Sequence, residues 1–455
     1  MNIKRLKLSI LVILILFSIP ACIAWDPTGN ESSALKVTEP LPLYLTATAN
    51  PDLNENTIRV ESSFIGLTYQ QADGNRQAKG RGSIMGNDPI SIDLTGEIKW
   101  LVGIPFDDGV LWTAALVDGN IDSYIIQNGQ VQKFDIGRGP LPAGMPPMIL
   151  DHQGEVYLNT PLSPETSQLS HPVSPNPDSG RVVFITDTGD LILWDQGEMI
   201  SRLEVNALVD ARLIQDEMGR LLFLSDPTDR YGHGVLGDGL EAGSITLVET
   251  LPSLKVVNKI EISSPAVIEG IAPIWSDLNG DGKREILVTV SDLQAGAKLV
   301  LFDEDGELLA EGPAAGQGYR WRHQLAAAPM GPSGEILIID VLRPHLDATL
   351  EFFSWQGDQL VLKADLAGFS THSIGSRNLD MALVGDLDGD GAYEVVAPDT
   401  SRESLNGIGF VEGKTELLWT IPLGDKLTSN LAGVELNDGS LSLGAGVGNR
   451  LLVWE

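Results

Sequence analysis

The chain has a single cysteine, Cys22, among its 455 residues. It therefore forms no internal disulfide, and its stability must come from packing and from bound ions. Positive charge is also scarce, with 30 Lys and Arg against 62 Asp and Glu. The resulting net charge of −32 repels phosphate backbones and anionic lipid, which argues against nucleic acid as a partner and favours cations.

Long apolar runs and helical periodicity are missing beyond the N-terminal leader. The chain instead contains 49 glycines, which suit many tight turns. Between these turns lie short runs rich in Val, Ile and Leu, bounded by Gly and Asp, and such runs favour strands. The composition therefore predicts an all-β protein.

The N-terminus carries the marks of an export signal. Residues 1–21 combine a basic start, a short apolar run and small residues. The letters IPAC resemble the bacterial lipoprotein box, and this resemblance implies that Cys22 is lipidated and becomes the mature N-terminus. Ordinary cleavage after Ala21 or Ala24 is the alternative. Residues 22–56, rich in Pro, Thr, Asn and Glu, predict an extended tether. We expect an exported protein at the cell surface or in the periplasm, held at the membrane only through a lipidated N-terminus.

Internal repetition predicts the architecture. Two of the most similar stretches are IEGIAPIWSDLNGDGKREILVTVSD and MALVGDLDGDGAYEVVAPD, and five weaker versions bring the total to seven. Each has an apolar run, a polar turn ending in glycine and a second β-rich run, at a mean spacing of about 55 residues. A second pair of strand-like runs lies between copies. Four strands per unit and seven units predict a seven-bladed β-propeller with four-stranded antiparallel blades over residues 57–455.

The last unit predicts how the ring closes. It ends at NRLLVWE, one strand short of a blade. An N-terminal strand that paired there would hide two exposed sheet edges. The stretches TIRVESSFIGLTYQ and DPISIDLTGEI are both candidates, and the sequence does not choose between them.

Two dense acidic turns predict metal binding. DLNGDGKRE spans 277–285 and DLDGDGAYE spans 386–394. Alternate oxygen side chains on a tightly curled loop converge on one point, and Ca²⁺ requires six to eight oxygens at about 2.3–2.6 Å. The predicted ligands are the side chains of Asp277, Asn279, Asp281, Glu285, Asp386, Asp388, Asp390 and Glu394, and the backbone carbonyls of Lys283 and Ala392. We expect two Ca²⁺ sites, the second being tighter because it has four carboxylates against three and an amide.

These turns differ from an EF-hand loop, which carries glutamate at position 12, where this chain has Val288 and Ala397. The short loop with an acidic residue at position 9 resembles the FG-GAP and VCBS repeats of integrin-α-like propellers. The resemblance implies a structural Ca²⁺ in the turn between the first two strands of a blade, and it is sharp in only two of the seven units. A plain acidic turn and a catalytic carboxylate pair, as in glycosidases, are the alternatives.

Scarce histidines and arginines predict a ligand face at the opposite end of the propeller. The candidates fall mainly on loops joining strands 2 and 3 or successive blades, and they are Arg230, Tyr231, His233, Arg320, Arg322, His323, Arg343, His345, His372 and Arg377. Guanidinium forks and aromatic faces suit carboxylates, sulfates or sugar rings. The expected partner is an extracytoplasmic anionic glycan, small anion or protein, bound by a monomer. Purely structural roles for these residues, or a zinc site from three histidines, are alternatives.

An enzyme on the same scaffold is the competing functional class. The chain has no HExxH motif and no nucleophile elbow. A polysaccharide-active hydrolase or lyase could use the same His and Arg residues. The stretch GKTELLW at 413–419 resembles, once, the repeat of quinoprotein propellers, which implies a quinone-dependent oxidoreductase as a further option. A structural surface protein without a ligand is the third class.

Overall fold

Short apolar runs separated by glycine turns become strands throughout the described part of the chain. The structure, a computed structural model, describes residues 64–455 except 138, 153, 154, 160, 177, 178, 196 and 347. The predicted export signal (1–21), Cys22 and the tether (22–56) lie outside the described residues. The regular elements of the described residues are all strands, and nothing among them forms a helix long and apolar enough to span a bilayer.

The first half of the described chain contributes sixteen strands. Three come from the N-terminal part: β1 (Phe64–Gly66), β2 (Gln77–Arg81) and β3 (Ile90–Asp93). A four-stranded sheet and a hairpin follow: β4 (Ile98–Phe106), β5 (Gly109–Leu116), β6 (Ile121–Gln127), β7 (Gln130–Phe134), β8 (Ile149–His152) and β9 (Glu155–Leu158). The next two units are β10 (Val182–Ile185), β11 (Asp190–Asp195) and β12 (Glu198–Glu204), then β13 (Ile214–Gln215), β14 (Leu221–Thr228), β15 (Glu241–Glu249) and β16 (Lys255–Glu261).

The second half contributes four further units. The first two are β17 (Val267–Ile268), β18 (Ile274–Ser276), β19 (Glu285–Asp292), β20 (Gly296–Phe302) and β21 (Leu308–Glu311), then β22 (Arg322–Ala328), β23 (Leu337–Leu342), β24 (Thr349–Gln356) and β25 (Gln359–Ala367). The last two are β26 (Leu383–Asp386), β27 (Glu394–Pro398), β28 (Ser404–Val411) and β29 (Lys414–Pro422), then β30 (Leu427–Glu435), β31 (Leu441–Val447) and β32 (Arg450–Trp454). Successive strands within these units pair antiparallel, apart from β17 and β18, which both pair with β19.

Buried apolar side chains join each unit to the next. Phe352 of β24 and Val395 of β27 belong to one shared cluster, and Trp112 of β5 and Val453 of β32 belong to another, which links the first unit to the last. A Cβ atom on Gly444 would lie 2.5 Å from the ring of Trp112, so the glycine makes room for the indole at this junction. Sheets packed face to face in a closed series form a β-propeller, as the sequence predicts.

The ring is closed by one of the two predicted N-terminal strands. β3 pairs antiparallel with β32, with Ile90 opposite Val453 and Asp93 opposite Arg450. The stretch DPISIDLTGEI therefore supplies the outer strand of the last unit. The other candidate, TIRVESSFIGLTYQ, contains β1, which pairs with β8 instead.

One unit is divided differently from the sequence prediction. The repeat pattern predicts that PPMILDHQGEVYLNT opens a unit and that RVVFITDTGDLILWDQGEMISRLEV supplies its second pair of strands, but the hairpin β8–β9 forms its own sheet with β1. The inner neighbour of β10 is Val173, which bridges Val183. The long connection after β9 thus supplies a strand-like residue that the repeat pattern did not reveal. Besides the small β1–β8–β9 sheet, the described strands form seven units, which fits the predicted number of blades. Because of that additional sheet, the blade number itself stays a prediction.

Residues 64–84, here called the inner segment, lie against the first strands of units all around the ring. The carbonyl of Ala72 accepts from the backbone N–H of Gln215 (2.8 Å). The side chain of Asn75 exchanges two hydrogen bonds with the backbone of Ala327 (2.8 and 3.0 Å). Because first strands face the axis of a propeller, the inner segment occupies the central channel.

Further polar contacts fix the inner segment to other strands around the channel. Gln70 exchanges two hydrogen bonds with the backbone of Gly433 in β30 (2.6 and 2.9 Å). Arg76 and Arg212 both donate to the carboxylate of Asp380, and all three side chains are buried. Burial raises the pKa of this carboxyl, but the two guanidinium groups outweigh it and hold the pKa below its usual value. The channel is therefore filled by the chain itself at this level.

Candidate functional site

Two acidic turns occupy equivalent places in two units. Loop A (277–285) joins β18 to β19, and loop B (386–394) joins β26 to β27. In each unit the loop joins an inner strand to the next strand of the chain, and the two strands pair with each other. The resemblance to FG-GAP repeats implies this position for the acidic turn. Both lie at the end of the propeller where first strands finish.

The two loops curl through the same local hydrogen bonds. In loop A, Asp281 Oδ1 accepts from the backbone N–H of Lys283 (2.8 Å). In loop B, Asp390 Oδ1 accepts from the backbone N–H of Ala392 (2.7 Å). A carboxylate that bonds the amide two residues later forms an Asx turn, which tightens the chain. The predicted curled geometry is present in both loops.

Loop A satisfies most of its own oxygens. Asp277 accepts from several amides, including that of Gly282 (3.0 Å). The side-chain amide of Asn279 donates to Glu285 Oε1 (2.9 Å), and the other Glu285 oxygen accepts from the backbone N–H of Leu278 (2.7 Å). Burial, followed by the charges of neighbouring aspartates, raises the pKa of Glu285.

Loop B leaves more of its oxygens unengaged. Glu394 Oε1 accepts from the backbone N–H groups of Leu387 (3.0 Å) and Asp388 (3.1 Å). Asp386 Oδ2 accepts from Gly391 (3.2 Å), while its Oδ1 is buried without a partner among the described residues. Burial and the charge of Asp388 raise the pKa of Glu394 to about 8.

The donor set of loop B fits Ca²⁺. One carboxylate oxygen from each of Asp386, Asp388 and Glu394 lies within 4.8 Å of the others. The unpartnered Asp386 Oδ1 is the kind of buried polar atom that requires a partner. Oxygen-only ligands suit a hard divalent cation, and Asp390 with the carbonyl of Ala392 could complete the shell. Within the described ranges, loop A does not form a comparable three-acid cluster.

Loop B also holds the inner segment. Arg81 Nε donates to the carbonyl of Gly389 (2.6 Å), and the backbone N–H of Gly82 donates to the carbonyl of Asp386 (2.6 Å). The approach is close, because a Cβ atom on Gly389 would lie 2.5 Å from the carbonyl oxygen of Gly82. The metal-binding candidate and the N-terminal part of the propeller therefore share one surface.

The predicted ligand face gathers aromatic and imidazole rings around Trp321. Ring centroids lie 5.5 Å from Trp321 for His323, 5.9 Å for His345 and 5.0 Å for His372. His323 Nδ1 lies 2.9 Å from Thr371 Oγ1. β22 begins at this cluster and β26 ends at loop B, and both are inner strands, so the cluster and loop B lie at opposite ends of the propeller.

Burial favours the neutral form of these imidazoles. His372 Nε2 donates to the carbonyl of Ser376 (2.6 Å), which leaves its Nδ1 to accept from His345 Nε2 (3.1 Å). Burial and the nearby His233 lower the pKa of His345 to about 4, and burial lowers that of His372 to about 3. Burial also places the pKa of His323 well below its usual value. Among the described residues, no three of these histidines form a metal-ligand group.

A second ring group lies beside the first. His233 Nδ1 is 2.5 Å from Glu269 Oε1, and Ser291 Oγ donates to Glu269 Oε2 (2.5 Å). The Tyr319 ring stacks on His233 at 5.0 Å with an interplanar angle of 18°. Tyr231, which is buried, meets Tyr319 edge to face at 5.1 Å. Tyr319 itself is 49% exposed, so this group reaches the surface.

Two predicted arginines are engaged within the fold. Arg322 is buried and donates to Asp340 (3.0 Å) and to Glu351. Arg230 donates to the backbone carbonyl of Ala266 (2.9 Å). Both guanidinium groups thus stabilise neighbouring strands and loops.

Arg320 and Arg343 lie on either side of Trp321. Arg320 Nε donates to the carbonyl of Gln317 (3.3 Å). The backbone N–H of Arg343 donates to the carbonyl of Trp321 (2.9 Å).

Two long loops meet above the channel at this end. The cap, as we name it, consists of residues 229–240 and 372–379. The backbone N–H of Gly375 donates to the carbonyl of Val235 (2.8 Å). Apolar packing of Val235 with Trp321 joins the cap to the ring cluster.

Arg377 fastens the cap. It donates to Asp210 (2.7 Å) and to Asp238 (2.6 Å). The cavity beneath it has a volume of about 10 Å³ and is lined by residues that include Thr68, His171, Asp210, Arg212 and Arg377. This is room for about one water molecule. A ligand of any size must therefore bind on the outer surface rather than at this point in the channel.

Sequence reasoning missed two acids of this end. The carboxylate of Glu269 is hydrogen-bonded to His233 Nδ1, and its backbone carbonyl accepts from Trp321 Nε1 (3.2 Å). Glu241 is buried, and burial together with the charge of Glu269 raises its pKa to about 9. A lone carboxylate within the apolar run AVIEGIAPIW was the available signal for Glu269, because a charge in a buried strand needs a partner.

Two solved structures are similar to the chain in backbone course. The crystal structure of the WD40 beta propeller domain of Doa1 covers 82% of this chain and 98% of its own, with 9% sequence identity and a TM-score of 0.42. The crystal structure of BBS1N in complex with ARL6DN, soaked with lead, covers 83% of this chain and 96% of its own, with 11% identity and a TM-score of 0.43. Neither likeness bears on ligand or activity. No protein-family model and no curated protein sequence matches the chain.

Proposed function

We propose that the protein is an exported β-propeller of the FG-GAP/VCBS type, held at the membrane through lipidated Cys22 and stabilised by two Ca²⁺ ions. It recognises an extracytoplasmic ligand through the ring groups at the end opposite loop B. The ions are held by loop A and loop B, and they stabilise the fold and do not contact the ligand. An anionic glycan, a small anion or a protein are the ligand classes that the sequence suggested.

One observation carries ligand recognition. The half-exposed ring of Tyr319 is stacked on His233, which is itself fixed by the buried carboxylate of Glu269. A rigid aromatic surface with a fixed polar edge loses little freedom on binding and gives contact area and direction together. The cavity below the cap, at about 10 Å³, is too small for a ligand, so a ligand at this point would bind on the outer surface.

The test is a binding screen on the full chain. Neutral and acidic oligosaccharides, sulfate and phosphate are titrated against the wild-type protein and a Tyr319→Ala variant, with Ca²⁺ or with EDTA. We expect binding by the wild type and its loss in Tyr319→Ala at unchanged melting temperature. Arg322→Ala and His323→Ala are unsuitable, because both side chains are buried and their removal would damage the fold. Absence of binding to any ligand class in the folded wild type would overturn the proposal.

A second function is favoured by the pairing of His233 with Glu269. A carboxylate that orients an imidazole at a surface is the arrangement of a general base in hydrolases and lyases. Release of reducing ends or of unsaturated products from polysaccharides, lost in His233→Ala, would establish an enzyme. Binding without turnover would leave the recognition function.

A further inference from the structure

The geometry points to a seat for a neutral sugar ring on the outer face of Tyr319, with a ring hydroxyl bonded to His233 Nε2. This inference rests on the proposed function and specifies its ligand class. It replaces the anionic ligands that the sequence favoured.

The first element is the open face of Tyr319. One face of the ring is covered by His233, and its edge is fixed by Tyr231, which is 1% exposed. The exposure of Tyr319, 49%, therefore belongs largely to the opposite face. The face of an aromatic ring is electron-rich and attracts weakly positive C–H groups, which a sugar presents on one side of its ring.

The second element is the free edge of His233. Its Nδ1 contacts Glu269, whose side chain is completely buried, while the imidazole is 18% exposed. With Nδ1 turned to Glu269, Nε2 is the remaining polar atom of the ring, and no described residue forms a hydrogen bond with it. A hydroxyl group both donates and accepts, so it can bond Nε2 in either protonation state of the pair.

The third element is the charge around the seat. Glu269 is buried behind His233, and the chain as a whole carries a net charge of −32, which disfavours an anion. The guanidinium of Arg230 donates to the carbonyls of Ala266 and Ile262, so these donors are not available to a ligand, although the cation keeps its charge.

A second arginine near this end, Arg377, lies in the cap. Arg377 is divided between Asp210 and Asp238, so it brings no net positive charge to the surface. A neutral ligand avoids the repulsion that an acidic one would meet at this end of the propeller.

The experiment compares matched probes. Hexasaccharides of glucose, one β-1,4-linked and one α-1,4-linked, and the hexasaccharide of galacturonic acid are titrated by calorimetry against the full chain with saturating Ca²⁺. We expect a neutral hexasaccharide to bind and the uronate to bind at least about tenfold more weakly, a difference of about 1.4 kcal/mol. Tyr319→Ala and His233→Ala should each weaken binding by about tenfold, as expected for one aromatic contact or one hydrogen bond to a fixed partner.

Two controls separate the seat from the fold. Tyr319→Phe keeps the ring and should bind as the wild type does. Tyr157→Ala removes a tyrosine on β9, remote from the seat, and should have no effect.

The outcomes are distinguishable. Neutral binding that survives Tyr319→Ala overturns the seat. Uronate binding that exceeds neutral binding and is lost in Tyr319→Ala overturns the neutral-sugar inference and leaves recognition at this face standing. Absence of binding by all three probes overturns the inference alone, because sulfate, phosphate and other oligosaccharides are examined separately in the wider screen.

Discussion

Loop A and loop B are identical at six of nine positions, yet they lie in different surroundings. In loop A the amide of Asn279 donates to Glu285 and uses one of its oxygens. In loop B the corresponding residue is Asp388, and three carboxylates come within 4.8 Å of one another. Loop B also bonds the inner segment through its backbone carbonyls. Near-identical loops can therefore differ in the charge that they would offer to an ion and in the part of the fold that they bond.

The largest expected effect is on stability. Asp390→Ala and Asp281→Ala should each remove one of two bound Ca²⁺ ions, measured by titration, and Asp390→Ala should lower the melting temperature more. Binding to the native state alone contributes about 2.7 kcal/mol when free Ca²⁺ is 100 times the dissociation constant. EDTA should abolish the difference between each variant and the wild type. Unchanged stoichiometry in both variants would end the calcium assignment.

The second prediction concerns the inner segment. Removing Ca²⁺ should accelerate hydrogen exchange at the amides of Gly82 and Ile84, which bond loop B, by up to about 100-fold, the linkage factor at that ligand excess. The amide of Gln215 bonds the same segment far from loop B and serves as the internal control. Equal acceleration at both places would show that loop B does not hold the segment.

The third prediction concerns the third position of each loop, which is Asn279 in loop A and Asp388 in loop B. Asn279→Asp gives loop A four acids and should tighten its Ca²⁺ binding, while Asp388→Asn should weaken loop B. A change of about tenfold in opposite directions is expected, because ligand charge tunes such sites. Direct calorimetric titration measures both. Two shifts of the same sign would contradict the role assigned to position 3.

The smallest effect should come from Arg81→Ala. This side chain donates to Gly389 but is 66% exposed, so its loss should cost about 0.5–1 kcal/mol of unfolding free energy. Lys79→Ala, on the same strand, is the matched control and should be neutral. Chemical denaturation of both variants gives the comparison. A cost shared by Lys79→Ala would assign the effect to the strand rather than to loop B.

Much of the fold could be predicted because the propeller repeats a local pattern. Alternation of β-rich runs with glycine turns marked the strands, and the missing strand of the last unit predicted a partner such as Ile90–Asp93. The hairpin β8–β9 was assigned to the wrong neighbour because pairing between sheets depends on residues far apart. Val173 looks like part of a loop in the sequence and becomes a strand partner only beside Val183.

The sequence predicted at which end of the propeller the candidate residues lie better than it predicted which residues they contact. His233, His345 and His372 were expected at one end, and the structure places them in the two neighbouring ring groups there. The fate of Arg322 was not visible, because its acids lie on the next two strands, at Asp340 and Glu351. Residue type indicates which chemical groups a site has, and burial decides which of these groups are accessible to a ligand.

The strand β3 is made long before its partner β32, and Gln70 bonds Gly433 across 363 residues of chain. Contacts of such range form only after the intervening chain has been synthesised and ordered. In a nascent chain the inner segment therefore lacks these contacts until β30 has been made. In that interval the unpaired edges of the early strands are open to wrong pairing.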